Sequence, residues 1–259
     1  MKRLSLGLCI ILLSSVVVMG CGDEKKEEPK PEPVETPDLV ATRVSEGVGN
    51  ITCQVVYDGT APKPTRIKMS ADPKCASIHK DGVYSQSFLA NDNRGLENVF
   101  VYVRDGLGTR KFPTPIEPVV IDQKGCLYEP HVFGMQVNQP ILIKNSDPTL
   151  HNIHALPKVN EAFNIAQPIR GMQSEKTFTE PEVMVRIKCD VHSWMGCYVG
   201  VLNHPYYAVT GANGTCDLTN LPPGDYVISA WHEQLGTLEQ NVSLAAGESK
   251  KIEFRFKAG

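Results

Sequence analysis

Four metal donors stand in two places that only a particular kind of fold can unite. Cys189, His192 and Met195 share the run Cys189-Asp190-Val191-His192-Ser193-Trp194-Met195 and must project from one short loop. His151 lies 38 residues before Cys189, after Asn145-Ser146-Asp147-Pro148-Thr149-Leu150. It reaches the same point only from a strand laid beside that loop. One thiolate, two imidazoles and a thioether form the donor set of a trigonal two-His, one-Cys copper site with a weak axial Met. The sulfurs suit Cu(I), and imidazole nitrogen is acceptable to both Cu(I) and Cu(II). The expected metal ligands are His151, Cys189, His192 and Met195, around one type 1 copper. His154 competes with His151, but residues three apart on a strand face opposite ways, so only one of them easily meets the metal.

The rest of the chain reads as all-β. Short alternating or β-branched runs recur at Ile51–Tyr57, Asn98–Val103, Val119–Ile121, Pro140–Lys144, Glu182–Lys188, Tyr198–Leu202, Asp225–Trp231 and Ile252–Phe256. Turn signals separate them, among them Asp58-Gly59, Asp105-Gly106, Asn213-Gly214 and Pro222-Pro223-Gly224-Asp225. No stretch sustains a helical apolar period. The expectation is a sandwich or barrel, with one short helix near the ligand loops.

On these motifs residues 98–202 resemble a cupredoxin, nearest to the amicyanin and plastocyanin group. Asn145 six residues before His151, the run His151-Asn152-Ile153-His154, and the Cys-x-x-His-x-x-Met spacing carry the resemblance. Plastocyanin proper has a longer gap before its Met. The resemblance, with the distance from Asn145, favours His151 over His154 as ligand and leaves His154 a surface or satisfied histidine. It implies that Asn145 hydrogen-bonds near the Cys189 sulfur and ties the ligand loops together, while Asn152 fixes the strand carrying His151. In this group the exposed edge of the C-terminal ligand, here His192, is the usual electron exit within an apolar patch. Trp194 reads either as part of that rim or as core.

Residues 203–259 resemble a different family. Ala208–Leu218, with Asn213-Gly214-Thr215-Cys216, and then Leu221-Pro222-Pro223-Gly224-Asp225-Tyr226 are similar to a carboxypeptidase regulatory-like, transthyretin-type β-sandwich. Cys216 stands where Phe is usual. Ile51–Pro62 resembles the first strand of such a domain, so residues 48–97 are either a separate β segment or part of a sandwich assembled from both ends of the chain. The expected fold class is all-β: a cupredoxin Greek-key β-sandwich plus a second, smaller Ig/transthyretin-like β-sandwich.

Lys2, Arg3, the apolar run Leu4–Val18 and Val18-Met19-Gly20-Cys21 read as an export signal over residues 1–20, too short to span a bilayer. Val-Met-Gly-Cys resembles a bacterial lipobox, which implies lipidation of Cys21; the plainer alternative is an ordinary secretory signal. Gly22, where Asp commonly marks inner-membrane retention, leans towards the outer membrane, at its periplasmic side or the cell surface. Residues 21–47, rich in Glu, Lys and Pro, lack the apolar side chains to offset ordering and read as a disordered tether. Without residues 1–20 the chain keeps 24 basic and 29 acidic residues, a net charge of −5. With no basic stripe, nucleic acid is not an expected partner.

An exported chain permits disulfides. Cys75 and Cys126 lie in polar, turn-like settings and are paired here. Cys53 and Cys216 lie in strand-like settings and could pair across a sheet. Cys197 is left as a buried thiol; spacing alone does not fix connectivity. His79, His131, His204 and His232 read as packed or surface histidines. The function expected is a membrane-tethered extracytoplasmic electron carrier, not an enzyme, serving exported redox proteins. Copper storage or delivery is the rival, although seven Met and seven His are sparse for it. A β-sandwich module binding glycan or protein is the third reading. A multicopper oxidase would need His-x-His pairs and a zinc hydrolase His-Glu-x-x-His, and the sequence contains neither.

Overall fold

A computed structural model describes residues 47–257. The export signal 1–20, Cys21 and nearly all of the 21–47 tether lie outside the described residues. Among the described residues no helix is long and apolar enough to cross a membrane. The chain runs β1 (Gly49–Asp58), α1 (Pro73–Ile78), β2 (Phe100–Asp105), β3 (Val119–Lys124), β4 (Leu127–Glu129), β5 (Val132–Gln136), β6 (Ile141–Asn145), β7 (His151–Leu156) and β8 (Phe163–Gln167). There follow β9 (Gln173–Lys176), β10 (Glu182–Lys188), β11 (Gly196–Leu202), β12 (Tyr207–Val209), β13 (Thr215–Leu221), β14 (Gly224–His232), β15 (Gly236–Leu244) and β16 (Ser249–Lys257). The fold is all-β.

Four sheets form two sandwiches. In the central one, sheet β5-β11-β10-β7-β8 and sheet β4-β3-β6-β9 enclose Ile121, Met135, Ile141, Ile143, Ile153 and Ile187. In the terminal one, β13-β1-β16 and β12-β2-β14-β15 enclose Ile51, Val55, Val101, Leu218, Ile228 and Phe254. Period-2 patterning explains the faces. In β16, Ile252, Phe254 and Phe256 point into the core while Lys251, Glu253, Arg255 and Lys257 stay exposed. β1 and β16, from opposite ends of the described chain, run parallel from Asn50↔Ser249 to Asp58↔Lys257.

β2 departs from the expected boundary. It falls within residues 98–202, yet it pairs with β12 and β14 in the terminal sandwich. The reason is a strand apolar on both faces. Val101 and Val103 enter the terminal core, while Phe100 and Tyr102 pack with Val132 and Leu202 between the two sandwiches. Gly134 on β5 and Gly200 on β11 make room for this contact, since a Cβ at either would collide with the Phe100 ring. Gly200→Ala should therefore overpack the junction and cost about 1–3 kcal/mol. Urea unfolding measures it, and an unchanged midpoint would contradict so close a contact.

Candidate metal centre

β10 and β11 are neighbouring antiparallel strands whose last register pair is Lys188↔Gly196. The ligand run 189–195 is thus a tight strand-to-strand connection. Its ends are fixed by the Cys189 N–H donating to the Met195 carbonyl (3.1 Å) and the Met195 N–H donating to the His192 carbonyl (2.9 Å). β7 lies on the other side of β10, with Lys188 opposite His154, which brings His151 at the start of β7 to the ligand loop.

His151, Cys189 and His192 converge. Nδ1 of His151 is 3.0 Å from Nδ1 of His192, and the Cys189 Sγ is 3.8 Å from the latter. All three side chains are buried, and their donor atoms lie within 4.8 Å of one another. Met195 is buried in the same core. His154 turns away from the cluster to Asp190, at 3.0 Å.

Each imidazole is held from behind by a carboxylate. Asp147 Oδ2 lies 2.9 Å from the His151 Nε2, and Asp72 Oδ2 lies 3.0 Å from the His192 Nε2. A proton on each Nε2 leaves the Nδ1 lone pair facing inward, the arrangement by which carboxylates orient metal-binding histidines. The donors therefore fit a single soft cation. Two nitrogens 3.0 Å apart have roughly the spacing that ~2.0–2.1 Å metal–nitrogen bonds require.

The carboxylates are themselves anchored. Asp147 accepts the N–H groups of Gly125 (2.8 Å) and Cys126 (2.7 Å), and Asp72 caps α1 by accepting those of Lys74 (2.8 Å) and Cys75 (3.3 Å). Cys75 and Cys126 are joined by a disulfide of 2.09 Å. Each half-cystine thus donates its amide to one of the two carboxylates behind the ligands.

Burial opposes charge on the Cys189 thiol, but the His151 imidazole and nearby backbone N–H groups draw its pKa down to about 6. Burial would likewise lower His151, yet Asp147 on one side and Cys189 on the other lift it to about 9. The Asp72 carboxyl is held below the usual range, chiefly by His192. Asp147 is also held low, His151 and two N–H groups outweighing its burial.

Several expectations change. Asn145 does not approach the Cys189 sulfur. Its side chain donates to the carbonyls of Thr149 (3.0 Å) and Gln167 (2.7 Å) and accepts the Asp147 N–H (2.9 Å), so it shapes the Asp147–His151 turn instead. Asn152 takes the loop-tying role: its Oδ1 accepts the Asp190 N–H (2.7 Å) and lies 3.2 Å from the Cys189 Sγ. The expected exposed edge of His192 is closed. That residue is 2% exposed, because the segment 65–85 carrying α1 folds over it. Cys53 and Cys216 face each other on β1 and β13 as free thiols, without the bond expected of them. The two thiols lie in contact, and the Cys216 thiol together with burial pushes the Cys53 pKa well above the ordinary thiol range. Cys197 is a buried free thiol. His204 and His232 are packed histidines whose pKa burial lowers to about 4.

Asp72, Asp147 and Tyr128, whose hydroxyl donates to the Asn152 carbonyl at 2.5 Å, escaped the sequence reading. Asp147 left a local signal, standing four residues before His151. Asp72 left none, being 120 residues from its histidine.

No family model matches the chain, and no curated protein matches it. Among solved structures it is similar to the copper-containing nitrite reductase of Thermus scotoductus SA-01, at 21% identity and TM-score 0.30. That match covers 38% of this chain and 24% of the reductase, so the chain spans about a quarter of that protein's length. A purple cupredoxin from Nitrosopumilus maritimus is 21% identical, with 32% of this chain and 98% of that one covered and a TM-score of 0.28. An oxidised mutant of amicyanin is 19% identical, with 45% and 93% covered and a TM-score of 0.30.

Two outcomes are expected of the metal-free protein. Cys189 should be a thiolate above about pH 6 and lose its charge below it. Ultraviolet thiolate absorbance should titrate there and the step should vanish in Cys189→Ser, since burial raises Cys197 well above the ordinary thiol range. Cys75→Ser/Cys126→Ser should lower stability by about 2–5 kcal/mol in urea and open His192 to diethyl pyrocarbonate. Protection of His192 in that variant would show that the disulfide does not hold the segment down.

Proposed function

We propose that the chain is a mononuclear copper protein that carries electrons outside the cytoplasm and does not catalyse a reaction of its own. The observation that carries this reading is the convergence of the His151 and His192 Nδ1 atoms on the Cys189 sulfur, with Met195 buried in the same loop. A copper ion held there supplies one-electron exchange between Cu(I) and Cu(II). The protein's part is to keep the donors still. Asp147 and Asp72 fix both rings, Asn152 pins the loop after Cys189, and the paired ends of the loop resist rearrangement. A donor set that does not move between oxidation states keeps reorganisation small. Burial of all three donors leaves a substrate no open approach, which favours electron exchange over catalysis.

The N-terminal sequence extends the proposal. Lipidation at Cys21 and the 21–47 tether would place the sandwiches at a membrane surface, at the outer membrane by the lipobox reading, within reach of exported redox partners. Encounters with such partners are of the small, transient class.

Adding Cu(II) to the protein should give one bound copper and an intense visible thiolate-to-copper absorption that Cys189→Ser abolishes. A colourless protein that holds only Cu(I) would instead support storage or delivery. A band that survives in Cys189→Ser would remove the assignment of that ligand.

A further inference from the structure

The cupredoxin resemblance implies electron exit at the His192 edge, and that edge is covered. Residues 65–85 form a loop closed on itself: Ile67 N–H donates to the Val83 carbonyl, Ser85 N–H donates to the Thr65 carbonyl, and Arg66 and Tyr84 form a bridge. Asp72 from this loop takes the His192 Nε2, and the Cys75 Sγ lies 3.6 Å from the same atom. His151 is 0% exposed and offers no second edge. Tyr128 lies beside the Cys189 side chain, but it is sealed in the core at 1% exposure.

Trp194 is different. Its ring packs against His192 with centroids 5.0 Å apart, and among the described residues it is the only aromatic ring other than His151 to pack on that imidazole. Its Nε1–H donates to the Cys126 carbonyl at 3.0 Å, which fixes the indole beside the disulfide. It is only half-buried, and its neighbours Val191 and Ser193 on the same loop are exposed. The ring therefore bridges a buried ligand and solvent.

We propose that Trp194, not His192, is the port through which electrons enter and leave the centre. This rests on the copper reading above. One electron comes from an external one-electron carrier protein, reducing Cu(II) to Cu(I), and leaves to a second such carrier, restoring Cu(II). No bond forms or breaks, no proton moves, and the indole is not itself oxidised. It shortens the gap that an electron must tunnel, a probability that falls exponentially with distance.

The sequence has two Trp, so Trp231→Phe leaves Trp194 as the only indole in the full-length protein. Its emission should be quenched by acrylamide in the metal-free protein and by loading with Cu(II). Failure of either overturns the proposal without any change at position 194. Oxidation of the Cu(I) protein by a c-type cytochrome, followed by stopped flow, then tests the route. Trp194→Leu should slow it about tenfold or more, and Trp194→Phe should retain most of the rate. Both should keep the visible band and the reduction potential. A Leu variant with wild-type band, potential and rate defeats the port while leaving the copper reading standing. Absence of bound copper or of the thiolate band defeats both.

Discussion

A neutral imidazole offers its lone pair at one nitrogen only, and whatever holds the other nitrogen decides which. In this protein two carboxylates make that choice, Asp147 for His151 and Asp72 for His192. The surrounding structure serves to keep those carboxylates in place. Asp147 sits on the β3–β4 turn amides and is steadied by Asn145, and Asp72 caps a six-residue helix. That helix would be marginal alone. The Cys75–Cys126 disulfide joins the two supports across 51 residues of sequence and so couples the backs of both imidazoles. Removing one carboxylate would free a ring to turn, and removing the disulfide would loosen one carboxylate relative to the other.

The terminal sandwich is not a detached appendage. β2 shows why: its Val101 and Val103 build the terminal core while Phe100 and Tyr102 lie against the central sandwich. His131 adds a polar link. Its Nε2 bonds Glu233 at 2.6 Å and its Nδ1 bonds the carbonyl of Gly196, the residue that follows Met195. Glu233, the residue just after β14, thus reaches the end of the ligand loop through a single histidine.

The all-β class and eight of the strands were legible because their apolar residues alternate or run together. β9 and β15 were missed because they are largely polar and exposed: β9 reads Gln-Ser-Glu-Lys and buries none of its residues. β7 was placed by its histidine rather than by its pattern: His151 takes the first position of the face that Ile153 and Ala155 continue into the core. The meeting of His151, Cys189 and His192 was legible because residue type and spacing together are specific. What held them was not. Asp72 lies far from His192 in sequence, and no local pattern announces that a loop between β1 and β2 will fold over a ligand more than a hundred residues later. The roles of Asn145 and Asn152 were exchanged for a similar reason. Spacing says that an asparagine is near the site, but only the fold says which backbone groups it meets.

The parallel pairing of β1 with β16 bears on the order in which this chain can form. Asn50 and Ser249 sit side by side although nearly the whole described sequence separates them, and contacts of such separation are the slow ones to close. Every strand of the central sandwich, by contrast, is present once Leu202 has been made. The metal donors can thus be gathered while β1 still has an open edge, and the last nine-residue strand seals that edge. A chain cut short before Ser249 would keep its ligand loop and the β1–β13 pairing but leave the other edge of β1 open, the kind of edge that recruits other chains.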